Sequence, residues 1–195
     1  MRTSECDVVV VGVGGQGVIL ISEIIGRAAM LAGLSVRGVE THGMAQRGGS
    51  VINHIRVGCN YSAMISPGSA DVLIAMEPAE ALRYAHYLSS EGVALVNTKP
   101  VLPVTVTTGQ ASYPPMEEIL APIRNACSEV RAMDATGLAT KAGSPQATNV
   151  VMLGALSKHL PIEEATLMEA LSETVPAKFL EINRKAFELG KIEVE

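Results

Sequence analysis

A run of four valines, Val8-Val9-Val10-Val11, leads without a break into Gly12-Val13-Gly14-Gly15-Gln16-Gly17. A β-branched run with no polar alternation suits a strand covered on both faces, which is the habit of parallel sheets. Gly12, Gly14 and Gly17 fit the spacing G-x-G-x-x-G, and Gly15 adds a fourth glycine. Missing Cβ atoms permit positive φ and close approach of a neighbouring strand or a phosphate. Between a strand and a helix, such a turn can direct backbone N–H groups at an anion. It can equally be a tight strand–helix crossing that binds nothing.

The pattern then alternates. Residues 18–32 read as a helix with Ile21, Ile25 and Ala28 on one stripe and a Glu23/Arg27 pair on another. Gly33 is a plausible stop, and residues 34–40 return as a strand, so about 35 residues suggest a βαβ unit. Residues 50–57 read as a strand, followed by a turn at 58–60, with another strand at 70–76. Pro78 suits the first turn of a helix reaching about residue 88, and 92–97 form a short apolar strand. Residues 99–115, rich in Pro and Thr, read as an excursion. A helix over 116–129 is expected to kink at Pro122, and 130–134 is the last strand. Helices follow at about 146–159, 161–172 and 177–189, with a small-residue contact at Gly154. They either cover one face or reach out to a partner. This order predicts an α/β fold: a Rossmann-like, doubly wound open sheet in three layers with C-terminal helices, one domain over 1–195.

A hydrophobic fraction of 48% excludes a disordered chain. The net charge of −5, the absence of Trp and the presence of only two Phe argue against a nucleic-acid surface or stacking platform. No apolar stretch has signal-peptide flanks or spanning length, so the expectation is a cytoplasmic protein without a membrane segment. Cys6, Cys59 and Cys127 are far apart and form no C-x-x-C, so they read as structural thiols. Any electron-transfer metal is expected on another chain, and no metal site is predicted here.

The segment 40–50 supplies the polar candidates. Arg47 can hold a phosphate or carboxylate in a fork. His42 is a possible acid–base or hydrogen-bonding group, and Gly48 and Gly49 let the loop fold against a ligand or a subunit. Glu40 stands either where a dinucleotide-binding fold holds ribose hydroxyls, or in an ion pair with Arg37 or Arg47. His54 and Arg56 share one strand face and can extend a polar surface. No nucleophile elbow, zinc helix or P-loop is present, and no spacing suggests a triad. No catalytic residue is therefore assigned. The predicted binding set is Gly12, Gly14, Gly15, Gln16, Gly17, His42, Arg47, Gly48 and Gly49. The lack of a complete catalytic set favours a component over a self-sufficient enzyme.

Gly12-Val13-Gly14-Gly15-Gln16-Gly17 and Thr41-His42-Gly43-Met44-Ala45-Gln46-Arg47-Gly48-Gly49-Ser50 together resemble the gamma subunit or domain of the 2-oxoacid:ferredoxin oxidoreductases. The form Gly-Met-Ala-Gln-Arg-Gly-Gly is similar to the beta-subunit branch of the indolepyruvate:ferredoxin oxidoreductases. The similarity continues through Asn149-Val150-Val151-Met152-Leu153-Gly154-Ala155 and Asn183-Arg184-Lys185-Ala186-Phe187-Glu188-Leu189-Gly190. It implies a pyruvate/ketoisovalerate oxidoreductase gamma-type domain in a complex that converts a 2-oxoacid, here indolepyruvate or another aryl pyruvate, to acyl-CoA, CO2 and reduced ferredoxin. It also implies that thiamine diphosphate, magnesium and iron–sulfur clusters sit on a larger partner subunit, with coenzyme A as cosubstrate. The chain alone is then expected to be inactive and able to form a homodimer. The competing expectations are a free-standing NAD- or FAD-binding protein and a non-catalytic Rossmann-like scaffold.

Overall fold

The structure, a computed structural model, describes residues 5–41, 49–60 and 62–193. The valine run lies within β1 (Cys6–Val13), at the centre of a six-stranded sheet. The other strands are β2 (Val36–Thr41), β3 (Ser50–Val57), β4 (Ala70–Ala75), β5 (Leu88–Asn97) and β6 (Glu129–Met133). The order is β2-β3-β1-β4-β5-β6. β1, β4, β5 and β6 run parallel, and β3 is antiparallel to both of its neighbours.

This order corrects the simple βαβ reading. The helix after β1, α1 (Val18–Leu31), does lead to β2, but β2 does not pair with β1. β3 lies between them, with Val13 opposite Ser50 and Thr41 opposite Ile52. Residues 42–49 thus connect two antiparallel neighbours, for which a short connection suffices.

Helices cover both faces. Val8 and Val10 pack with Ile55, Ile74 and Leu95 beneath α1, α5 (Ala135–Ala142), α6 (Thr148–Leu156), α7 (Glu164–Thr174) and α8 (Leu180–Glu193). Val9 and Val11 face the other layer, where Ala81 of α2 (Pro78–Tyr84) and, beyond the single-turn α3 (Val104–Thr107), Ile119, Leu120 and Ile123 of α4 (Met116–Ala126) complete the core. The continuous valine run is explained: successive side chains enter two different cores. Every residue of α6 is buried, as expected of a helix that is apolar all round. It lies against α8, where a Cβ on Gly190 would come within 1.8 Å of the Val151 carbonyl and one on Gly154 within 2.1 Å of the Phe187 carbonyl. The C-terminal helices therefore close one face of the sheet.

Several boundaries differ from expectation. α2 ends at Tyr84 and a 3-10 turn passes directly into β5, which starts at Leu88. α4 continues through Pro122 to Ala126. α5 was not anticipated: Ala-Thr-Gly-Leu-Ala-Thr-Lys-Ala carries few large apolar residues to mark a stripe. Its start is fixed by the Asp134 side chain, which accepts from the Gly137 N–H at 2.8 Å. Among the described residues, no helix is long and apolar enough to cross a membrane.

His54 and Arg56 prove to be structural rather than a polar surface. Arg56 donates from Nε and Nη2 to the two Asp7 oxygens, each at 2.8 Å, across the β1–β3 pair. His54 is 1% exposed and meets the Tyr87 ring edge-on at 5.0 Å. Its Nδ1 accepts from the Ile65 N–H at 3.4 Å. Burial pushes its pKa below the ordinary 6.5. The unfolded chain therefore takes up this proton at higher pH than the folded chain does. The stability contributed is present above about pH 6.5 and is lost as the pH falls through the depressed folded value. Urea unfolding should show a loss of stability from pH 8 to pH 5 that is smaller in His54→Gln than in the wild type. Identical pH dependence would show that His54 is not the buried titrating group.

Candidate functional site at the carboxyl edge of the sheet

The parallel strands deliver their ends to one edge. The turn 14–17 follows β1, Met76 and Glu77 follow β4, residues 98–101 follow β5 and residues 134–136 follow β6. Because β3 runs the other way, its first residue, Ser50, lies at this edge too. Open α/β sheets bind ligands outside these strand ends.

The turn is built from the inside. Gln16 folds back: its Oε1 accepts from the Val13 N–H at 2.7 Å and its Nε2 donates to the Met76 carbonyl at 3.0 Å. Gly12 must be bare because a Cβ there would lie 2.9 Å from both Gln16 Oε1 and Met76 Cβ. Gly17 has φ +79° and begins α1, and a Cβ would lie 2.3 Å from Asn149 Nδ2. Gly15 has φ +100° and borders open space. The Gly14 N–H donates to the Gly49 carbonyl at 2.8 Å, and the Gln16 N–H to the Val13 carbonyl at 3.1 Å.

These bonds revise the expected binding set. Gln16 lines the cleft while its amide is turned inward, Gly12 leaves room for it, and the N–H groups of Gly14 and Gln16 are engaged within the turn. No acceptor among the described residues takes the N–H groups of Gly15, Gly17 and Val18. They stand at the positive end of α1, where the first helical N–H groups lack intrahelical partners. His42, Arg47 and Gly48 lie outside the described residues.

The turn forms one wall of a cleft of about 460 Å³. Lys99, Thr136, Gln146 and Thr148, none of them anticipated, line it opposite Gly15 and Gly17. Lys99 and Thr136 follow strand ends, so the edge rule could have found them. Gln146 precedes α6 and Thr148 is its first residue, and neither carried a signal. The far side is held by Asn97, whose Nδ2 donates to the Met76 carbonyl at 3.0 Å and to Thr136 Oγ1 at 3.2 Å. A second, more apolar cleft of about 650 Å³ adjoins the first through Gln146, with Leu20, Val175, Phe179 and Ile182 among its walls.

Glu77 fixes the excursion over the cleft. Its Oε2 caps α2 at the Glu80 N–H, 3.0 Å away, while its Oε1 accepts from the Val101 N–H at 3.3 Å and from the Tyr113 hydroxyl. Burial and this carboxylate push the Tyr113 phenol well above its usual range, so Tyr113 serves as a hydrogen-bond donor rather than a base. Cys6 is likewise a poor nucleophile: burial and then Asp71 and Asp7 push its thiol up to about 12. Burial also raises Cys127. Glu40 stands on β2, two strand spacings of about 4.8 Å from β1. That placement does not suit an acid reaching a ribose held at the glycine turn.

The fold is an open α/β sheet with a glycine turn and a cleft at its carboxyl edge, the place where such sheets hold their ligands. The model of the pyruvate ferredoxin/flavodoxin oxidoreductase family matches residues 7–192. The chain belongs to this family. It is 47% identical to the indolepyruvate oxidoreductase subunit IorB of Archaeoglobus fulgidus over 186 residues, covering 94% of this chain and 92% of that one. The gamma subunit of a keto/oxoacid ferredoxin oxidoreductase from Geobacter sulfurreducens shares the fold, with a TM-score of 0.71 and 24% identity over 97% and 98% of the two chains. So does 2-oxoglutarate:ferredoxin oxidoreductase from Magnetococcus marinus, solved with 2-oxoglutarate, coenzyme A and succinyl-CoA bound. There the TM-score is 0.75 and the identity 23%, and this chain corresponds to 31% of a longer one.

Replacing Gln16 by Leu keeps the volume but removes both amide bonds. The Val13 N–H is left without its acceptor, a loss of about 1–3 kcal/mol. Urea unfolding should show a destabilisation of this size. A stability equal to wild type would show that the side chain does not hold the turn.

Proposed function

We propose that this chain is the non-cluster subunit of a thiamine-dependent 2-oxoacid:ferredoxin oxidoreductase of the cytoplasm, acting on indolepyruvate or other aryl pyruvates to give acyl-CoA, CO2 and reduced ferredoxin. The observation that carries this reading is the near-full-length identity to an indolepyruvate oxidoreductase subunit. Residues 1–195 act as one gamma-type domain. A larger subunit holds thiamine diphosphate, magnesium and the iron–sulfur clusters and passes electrons to ferredoxin. The chain contributes binding and orientation, which is the protein's share in cofactor chemistry.

Within that complex the carboxyl-edge cleft takes the phosphate-bearing part of coenzyme A. The N–H groups of Gly15, Gly17 and Val18 and the Lys99 ammonium supply donors for an anion. The adjoining apolar cleft accommodates a less polar stretch of a long ligand. Arg47 and His42, which lie outside the described residues, are the further donors that the resemblance implies. The free-standing NAD or FAD reading is weaker because β3 separates Glu40 from the glycine turn.

Co-expression with the proposed large subunit should give one hetero-oligomer on size exclusion, with two copies of each chain. The isolated chain should be colourless and should not oxidise 2-oxoacids. In the assembled enzyme Lys99→Ala should raise the KM for coenzyme A about tenfold, the loss of one charge-assisted contact, while leaving the KM for the 2-oxoacid unchanged. Separate elution at micromolar concentration with full activity in the large-subunit fraction would refute the subunit assignment. An unchanged KM for coenzyme A would refute the assignment of the cleft.

A further inference from the structure

We propose that residues 101–112, an arm beside the carboxyl-edge cleft, dock into an apolar recess of the larger subunit. The arm leaves the sheet after β5, carries α3 and returns before α4. Val101 is 41% exposed, Leu102 48% and Val104 76%, and α3 buries none of its residues. Residues 100–116 contain no Asp, Glu, Lys or Arg, in a chain of which 18% is charged. A solvated loop gains nothing from aliphatic side chains without charge. Charge depletion over an apolar surface is the composition of the centre of a protein interface.

The arm is braced rather than loose. Both of its ends are tied to Glu77, which is 2% exposed: its Oε1 accepts from the Val101 N–H at 3.3 Å and from the Tyr113 hydroxyl. The Tyr113 hydroxyl accepts in turn from the Ala79 N–H at 3.1 Å. Between these ties the backbone bonds to itself. The N–H groups of Val106 and Thr107 donate to the Pro103 carbonyl, each at 3.0 Å. Those of Gln110 and Ala111 donate to the Thr105 carbonyl at 2.8 and 3.0 Å. Gly109, with φ +75°, allows the return. Leu102 and Val104 are then the groups that gain from being covered. A segment already ordered loses little entropy when a partner covers it.

The position of the arm identifies the occupant. Val101, at its base, lines the cleft together with Lys99, Pro100 and the glycine turn. In the function proposed above, on which this inference rests, the chemistry belongs to the larger subunit. The reacting end of the ligand therefore has to leave this cleft towards that subunit. The larger subunit must reach the mouth of the cleft, and the arm stands beside it. A second copy of this chain would bring a second binding cleft and leave the ligand without a reaction centre.

Two experiments test the arm. By mass spectrometry, its amides should exchange hydrogen about tenfold more slowly in the co-expressed complex than in the isolated chain. Leu102→Asp and Val104→Asp should each weaken association with the larger subunit about tenfold. Met30→Asp should not, because Met30 is 72% exposed at the end of α1 remote from the cleft. The exchange comparison uses the wild-type chain and holds whatever the variants do to folding. Unchanged exchange in the complex, full association of both arm variants, or equal weakening by Met30→Asp would overturn the arm while leaving the subunit reading intact. Protection in the isolated chain that rises with concentration and is lost in Val104→Asp would assign the arm to a second copy and overturn the larger subunit as its occupant. Failure of the wild-type chains to associate at all would refute the subunit reading, and this occupant with it.

Discussion

The backbone carbonyl of Met76 is the point on which the carboxyl edge depends. It accepts from Gln16 Nε2 and from Asn97 Nδ2, each at 3.0 Å, so both lone pairs are used. The Met76 N–H in turn donates to the Val11 carbonyl at 2.9 Å. Through these bonds the ends of β1, β4 and β5 are tied together. Asn97 also reaches Thr136, and Thr136 meets the Thr148 hydroxyl, so the start of α5 and the start of α6 join the same network. Gly12 has to be bare because the returning Gln16 side chain occupies the space its Cβ would take. The glycine turn is therefore held in one geometry before any ligand arrives.

That preorganisation links fold to function. In the reading proposed above, a cleft whose N–H groups are already in place does not have to order them on binding. Thus a chain for which the sequence offers no catalytic set can still contribute to a reaction by positioning one end of a long substrate. The opposite edge of the molecule has a different character. Four of the six residues of β2 are exposed, and Glu23 and Glu40 line the groove beside it.

Much of this was legible in the sequence where local chemistry speaks directly. The valine run gave a central parallel strand, and the glycine spacing marked the turn at the strand end and the start of α1. Residues 50–57 read as a strand with the observed boundaries. Its orientation was not legible, because an alternating pattern does not say which way a strand runs. The short connection 42–49 was the available clue, but its polar residues drew attention as a binding loop rather than as a link between antiparallel neighbours. Gln16 shows the same limit in the site: sequence reveals an amide beside glycines, but only the fold turns it inward to Met76. His54 and Arg56 share a face as expected, yet one is buried against Tyr87 and the other is spent on Asp7. α5 went unseen because its small residues pack closely without a strong apolar stripe.

Amide hydrogen exchange across residues 13–18 of the isolated chain tests the preassembled turn most directly. The account predicts slow exchange at Val13, Gly14 and Gln16, whose N–H groups are bonded to Gln16 Oε1, the Gly49 carbonyl and the Val13 carbonyl, and fast exchange at Gly15, Gly17 and Val18. Uniformly fast exchange across the turn, or protection at Gly15, Gly17 and Val18 equal to that of the β1 interior, would contradict it.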